Sequence, residues 1–245
     1  VDLVEAGADP TGEELVDPVL NGVAGSDTRI LLPEGGDRLR RFELTAPENV
    51  ALVGDDARVV PASRGAEKLC VFSRVSDLWV SGLTVDQSGP DRCGWMDVRV
   101  TGGTNVISDV RLEGLNDVTA GTFGFTLLCE GADTELRLDS VDLGDGGRNA
   151  AGIYVFPQRD YYDSDRDPGT LVLRDCILKN WAREGLYASP HGGPIRVVGG
   201  RYENNAIDQV RVGGGHRDTL ALVRDVNIVV DDPPSVHDAV VGAHL

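Results

Sequence analysis

TLVLRDCILKN, residues 170–180, holds two apolar alternations that are out of phase with each other. Leu171 and Leu173 form the first, Cys176 and Leu178 the second, and Asp175 stands between them. One face of an uninterrupted strand takes every second residue. A shift from odd to even positions therefore means that the chain turns a corner while its apolar residues stay inside. Asp and Gly suit such a corner because they enter left-handed backbone angles at low cost. Asp175 accordingly reads as a structural residue, although the arginine beside it invites a catalytic assignment.

The same register recurs along the chain. It is read at Leu78, Val80, Gly82, Leu83 and Val85, at Ile107, Asp109, Val110 and Leu112, and at Leu136, Leu138, Ser140, Val141 and Leu143. Later copies run through Ile195, Val197, Gly199, Gly200 and Tyr202, then Ala221, Val223, Asp225, Val226 and Ile228, and a degenerate first copy ends at Gly54. Corners thus fall at 54, 82, 109, 140, 175, 199 and 225, a spacing of about 24 to 35 residues that marks a solenoid with loops of unequal length. Between corners lies a further alternation, often opened by glycine. Gly152-Ile153-Tyr154-Val155 and Gly185-Leu186-Tyr187-Ala188 are the clearest cases, with weaker members around Thr126, Arg211 and Val240. Three short strands and a corner describe one coil of a parallel β-helix. An antiparallel sandwich also strings short strands between turns, but it does not predict a repeated phase shift.

The chain has 245 residues, with 40 acidic against 23 basic side chains and a formal net charge of −17. Such a surface repels nucleic acid and anionic membranes. Lys68 and Lys179 are its two lysines, and an acid-rich, lysine-poor surface leads us to expect adaptation to concentrated salt, where self-repulsion is screened. The four cysteines, at 70, 93, 129 and 176, lack the close pairing of a zinc site. Cys176 occupies an inward slot, while Cys70 and Cys93 fall one coil apart, which leaves a disulfide between them open. No apolar run is long enough to span a membrane. Val1 reads as the start of a mature or trimmed chain.

Residues 1–34 do not follow the repeat. Leu15, Val16, Val19, Leu20 and Val23 share a helical face, with competing start signals at Thr11 to Glu14 and at Asp17-Pro18. One helix near 17 to 24 is expected, lidding the exposed end of the solenoid core. GADPTG, this helix, ILLPEG and NVALVGDDARVV together resemble the amino-terminal cap and first coil of the pectate-lyase-like, right-handed parallel β-helix proteins. GIYV followed by LVLRDCIL is similar to their generic coil. The resemblance covers nearly the whole chain and implies an all-β, single-stranded, right-handed parallel β-helix of about seven coils, capped over 1–34 and coiled over 35–245. It does not specify activity, because these proteins include polysaccharide lyases, glycoside hydrolases, epimerases, tailspikes and non-catalytic surface proteins.

In that group the substrate lies along the strand face of the glycine-opened alternation, which implies a site on the column Thr126, Tyr154, Tyr187 and Arg211. Tyrosine rings suit sugars, being flat and apolar with a hydroxyl, and arginine suits carboxylates. The plainer reading is an aromatic ladder that covers the sheet. Glu184 and Asp208 precede this alternation on adjacent coils and are candidates for an acid and a nucleophile or base. A lyase would instead need a base and a cation, for which Arg211, Arg183, His191 and His216 are candidates. The longest loop, residues 157–169, adds Gln158 and Arg159 as substrate contacts. Its alternating aspartates are oxygen ligands of the kind calcium takes, or simply solvated decoration; no other cofactor is implied. The chain lacks the TDG, paired-aspartate and RIK elements of polygalacturonases and an alignable calcium-aspartate set, so no catalytic role carries over.

Two functions fit: a secreted or cell-surface polysaccharide lyase or hydrolase, and a non-catalytic glycan-binding or spacer module of a surface or virion protein. The closing AVVGAHL reads as a strand with nothing to lid it. An uncovered solenoid end associates readily, so the expectation is that a further domain follows, that a second copy caps the end as a homo-oligomer, or that the final residues fold over it.

Overall fold

The computed structural model describes residues 1–156, 167–213, 219–235 and 241–244. The chain winds as a single-stranded parallel β-helix whose coils stack strand on strand in three ladders. The first ladder runs from Thr28–Leu32 through the strands Glu48–Pro61, Cys70–Asp86, Thr104–Glu113 and Glu135–Asp139 to Thr170–Arg174, Ile195–Val198 and Ala221–Arg224, each pairing parallel with the next. The second ladder begins at Gly35–Leu39 and ends at Ile177–Lys179, Arg201–Glu203 and Asn227–Val229. The third, which carries the candidate site, passes through Met96–Gly102, Thr122–Cys129, Ala150–Val155, Leu186–Tyr187 and Asp208–Arg211 to Val241–His244.

The corner between the first two ladders is where the phase shift places it. Gly82, Asp109, Ser140, Asp175, Gly199 and Asp225 all take left-handed φ values between 50° and 68°. The earliest corner differs. Gly54 is not left-handed; the strand bulges between Val53 and Ala57, and Asp56 takes the positive φ instead. Gly54 remains glycine for another reason, since a Cβ there would lie 2.4 Å from the Gly82 carbonyl oxygen. A second set of left-handed residues was not legible in the apolar pattern. Asp27, Asn49, Asp77 and Gly103 turn the chain into the first ladder, and the Asn49 amide donates to Asp27 at 2.8 Å.

The inward positions fill one continuous core. Leu171, Leu173, Cys176 and Leu178 are completely buried, stacked on Leu136, Leu138, Val141 and Leu143 below and Ile195, Val197 and Tyr202 above. At the last described rungs Val223, Val226 and Ile228 are only partly buried against this core. All four cysteines are buried free thiols, so the disulfide that the sequence left open between Cys70 and Cys93 is not formed. Burial pushes Cys70, Cys129 and Cys176 up to about 12, as expected for thiols serving as small apolar residues.

The helix forms at Asp17–Val23, with Pro18 in its first turn and no side-chain cap. The competing signal proves to be a turn. Asp9 accepts the backbone N–H groups of Thr11, Glu13 and Glu14 and the Thr11 hydroxyl, and these bonds hold its carboxyl down at about 2. Leu20 and Val16 are buried with Leu3 over the first coil, so the helix does cover the end of the core. No described helix is long and apolar enough to cross a membrane.

Candidate functional site

Glycines pinch the third ladder where its strands begin. A Cβ on Gly124 would meet the Gly152 carbonyl oxygen at 2.7 Å, one on Gly152 the Gly185 oxygen at 2.6 Å, and one on Gly185 the Asn205 amide at 2.4 Å. Trp181, fully buried beneath them, donates its indole N–H to the Leu143 carbonyl at 3.0 Å. This fixes the register of the next residues. Ile153 pairs with Phe125 and Leu186 inside, and Tyr154 pairs with Thr126 and Tyr187 outside, with Arg211 next to Tyr187.

The outer face is a continuous aromatic strip. Tyr154 and Tyr187 have ring centroids 4.9 Å apart at an interplanar angle of 72°. Phe156 lies 4.9 Å from Tyr154, and Phe123 bridges Tyr154 and Trp95 at 5.3 Å each. A cation covers each end: the Arg211 guanidinium is 4.5 Å from the centre of Tyr187, and Lys68 is 5.2 Å from that of Trp95. At the Tyr154–Phe156 and Tyr154–Tyr187 contacts ring edges meet ring faces, the favourable quadrupolar arrangement, while the two Phe123 contacts are tilted.

Thr126 faces outward yet is fully buried, because Trp95 lies over it. The Trp95 indole N–H donates to the Thr126 hydroxyl at 2.9 Å, that hydroxyl donates to Asp97 at 2.9 Å, and Lys68 pairs with the other Asp97 oxygen. Trp95, Phe123, Phe156, Lys68 and Asp97 were missed in the sequence. A signal existed: Met96-Asp97-Val98 repeats the alternation of Phe125-Thr126-Leu127 one coil earlier, and the ladder pairs them residue for residue.

Glu184 and Asp208 do come together. One Arg211 nitrogen lies 4.0 Å from Glu184 and 3.8 Å from Asp208, and Arg183 lies 3.6 Å from Glu184. Their side chains are 4% and 3% exposed, and Glu184 Oε2 and Asp208 Oδ1 have no hydrogen-bond partner. These contacts are longer than hydrogen bonds, so the cluster is held by charge, with two buried carboxylate oxygens left unsaturated.

His191 sits elsewhere. It is completely buried, and Nε2 donates to the Gly169 carbonyl at 3.0 Å. Burial lowers its pKa to about 4, which that hydrogen bond only partly opposes. The ring is therefore a neutral brace in the turn between the tyrosine strand and the next coil. Gln158, Arg159, His216 and most of the aspartate-rich loop lie outside the described residues. Among the described residues no group of three or more His, Cys, Asp or Glu side chains is arranged to hold a metal ion.

No family model matches the chain, and no curated protein matches it in sequence. Two solved structures are similar in course. Against ORF18 of Geobacillus virus E2 the TM-score is 0.43 at 10% identity, over 94% of this chain and 59% of the viral one, so the chain spans well under two thirds of that protein. Against the A-module of the Azotobacter vinelandii mannuronan C-5 epimerase AlgE4 the TM-score is 0.33 at 10% identity, over 99% of both chains.

Proposed function

We propose that the chain is a secreted or cell-surface module that holds a polysaccharide along the third ladder, over Tyr154, Tyr187 and Arg211. The supporting observation is the unbroken aromatic strip with a cation at each end. Flat apolar rings offer stacking area to sugar faces, and guanidinium and tyrosine hydroxyl groups supply the polar contacts. In the catalytic form of this reading, Glu184 and Asp208 are the acid and the nucleophile or base of a glycoside-cleaving step, or Arg211 and Arg183 stabilise the enolate of an elimination.

A specific observation favours a second, non-catalytic reading. Glu184 and Asp208 are almost sealed from solvent beneath Arg211, which itself stacks on Tyr187, as in an ion cluster that supports a binding surface. Incubation at high salt with acidic and neutral polysaccharides, scoring unsaturated products and reducing ends separately, discriminates the forms. Turnover that disappears in Glu184→Gln and Asp208→Asn while binding persists supports catalysis. Binding without turnover, weakened roughly tenfold in Tyr187→Ala, supports the second form. Binding and turnover unchanged in both Tyr154→Ala and Tyr187→Ala would remove this face as the site.

A further inference from the structure

We infer that the Trp95 end of the strip is a separate distal subsite for a linear glycan. Trp95 there is a specificity-determining platform that measures chain length; this rests on the glycan reading of the strip. Three observations carry it. First, the rings are continuous from Trp95 through Phe123 and Tyr154 to Tyr187. They cross the strands Met96–Gly102, Thr122–Cys129, Ala150–Val155 and Leu186–Tyr187, and Arg211 stands one strand further. At about 4.8 Å per strand the track is about 19 Å long, more than a disaccharide covers. An occupant touching both ends is therefore an oligomer laid along the helix axis.

Second, Trp95 is held in one orientation. Its indole N–H is fixed by the buried Thr126 hydroxyl, which is fixed by Asp97, which is fixed by Lys68. A partly buried tryptophan that merely covered a sheet would not need its polar edge anchored through three successive side chains. An anchored ring costs a ligand little ordering entropy on binding. Third, the two ends differ in chemistry. At Tyr187 the cation belongs to a carboxylate cluster, whereas at Trp95 the Lys68 ammonium and Asp97 form a compact pair beside an indole face. The Trp95 end is thus built to hold a sugar, with no second buried acid beside it among its described contacts.

The test measures binding of size-fractionated oligomers of polygalacturonate, alginate and cellulose, from disaccharide to octasaccharide, to the full chain and its variants. Wild-type affinity is expected to rise with length. Trp95→Ala should lose roughly tenfold for the octasaccharide and nothing for the disaccharide, whereas Tyr187→Ala should lose affinity at every length. Thr126→Val, which keeps the shape and removes the anchor, should reproduce part of the Trp95→Ala loss for long oligomers only. A readout that leaves the strip intact uses Trp79→Phe, because Trp79 lies on another ladder and Trp181 is fully buried. In that protein the octasaccharide, and not the disaccharide, should shield the remaining accessible tryptophan from acrylamide quenching. An equal loss at all lengths in Trp95→Ala, or no shielding by a bound octasaccharide, overturns the distal subsite and leaves the glycan reading standing. Failure of every oligomer to bind the wild type overturns both.

Discussion

His191 shows how little a residue type says about its role. In the sequence it is a histidine in a loop beside a candidate site; in the fold it is a neutral ring without solvent access, bonded to the Gly169 carbonyl. Its folded pKa of about 4 lies below the ordinary 6.5. The unfolded chain therefore binds the proton more readily, and the stabilisation is fully present above pH 6.5 and is lost as pH falls towards 4. The loss amounts to about 3 kcal/mol. His191→Gln keeps a donor for Gly169 and removes the titration, so its urea midpoint should fall less steeply between pH 6.5 and 4 than that of the wild type. Parallel pH profiles would show that another group governs the acid limb.

Each corner is a set of residues from neighbouring coils, and glycine serves two purposes in it. At Gly82 both coincide: φ is 68°, and a Cβ would lie 2.2 Å from the Gly54 carbonyl oxygen of the coil below. That oxygen is backbone and has no rotamer to escape into. Gly82→Ala should therefore cost about 3 kcal/mol, measured by chemical unfolding. Asp175→Gly, where φ is 50° and strain is relieved, should stay within about 1 kcal/mol of the wild type. Equal costs for both substitutions would mean that strand stacking, and not corner geometry, governs these positions. The corners were legible in the apolar phase at every coil except the first, where the bulge after Val53 moves the left-handed residue two places on to Asp56. Three consecutive polar or flexible residues, Gly54, Asp55 and Asp56, give no phase from which to choose among them.

Across the molecule, several cations are placed between coils. Arg58 bridges Asp86 at 2.9 Å and Glu113 at 2.8 Å on successive rungs. Its hydrogen bonds hold the Glu113 carboxyl below its ordinary range. Asp86 is also held down, against the cost of burial, first by the Ser88 hydroxyl and N–H and then by Arg58. Arg111 and Lys179 similarly face Asp142 and Glu203. A net charge of −17 remains after these pairings and repels itself. Salt at about 1 M shortens the screening length to about 3 Å, so the melting temperature should rise between dilute buffer and molar salt. Maximal stability at low salt would refute the halophilic proposal.

Coil, inward residues, terminal helix, the Tyr154–Tyr187–Arg211 column and, after the first coil, the corners between the first two ladders were readable in the amino-acid order. Each follows from a local rule: a strand alternates, a corner resets the phase, and an end needs a lid. What only the tertiary structure decided is which outward side chains meet sideways. Trp95 and Tyr154 belong to strands two coils apart and are joined through Phe123, a contact that depends on the length of every intervening loop and on the direction each ring takes. The same holds for the burial of His191 and of the Glu184–Asp208 pair. Alternation along a strand is encoded by neighbours in the chain; register between coils is set by packing, which no single repeat contains.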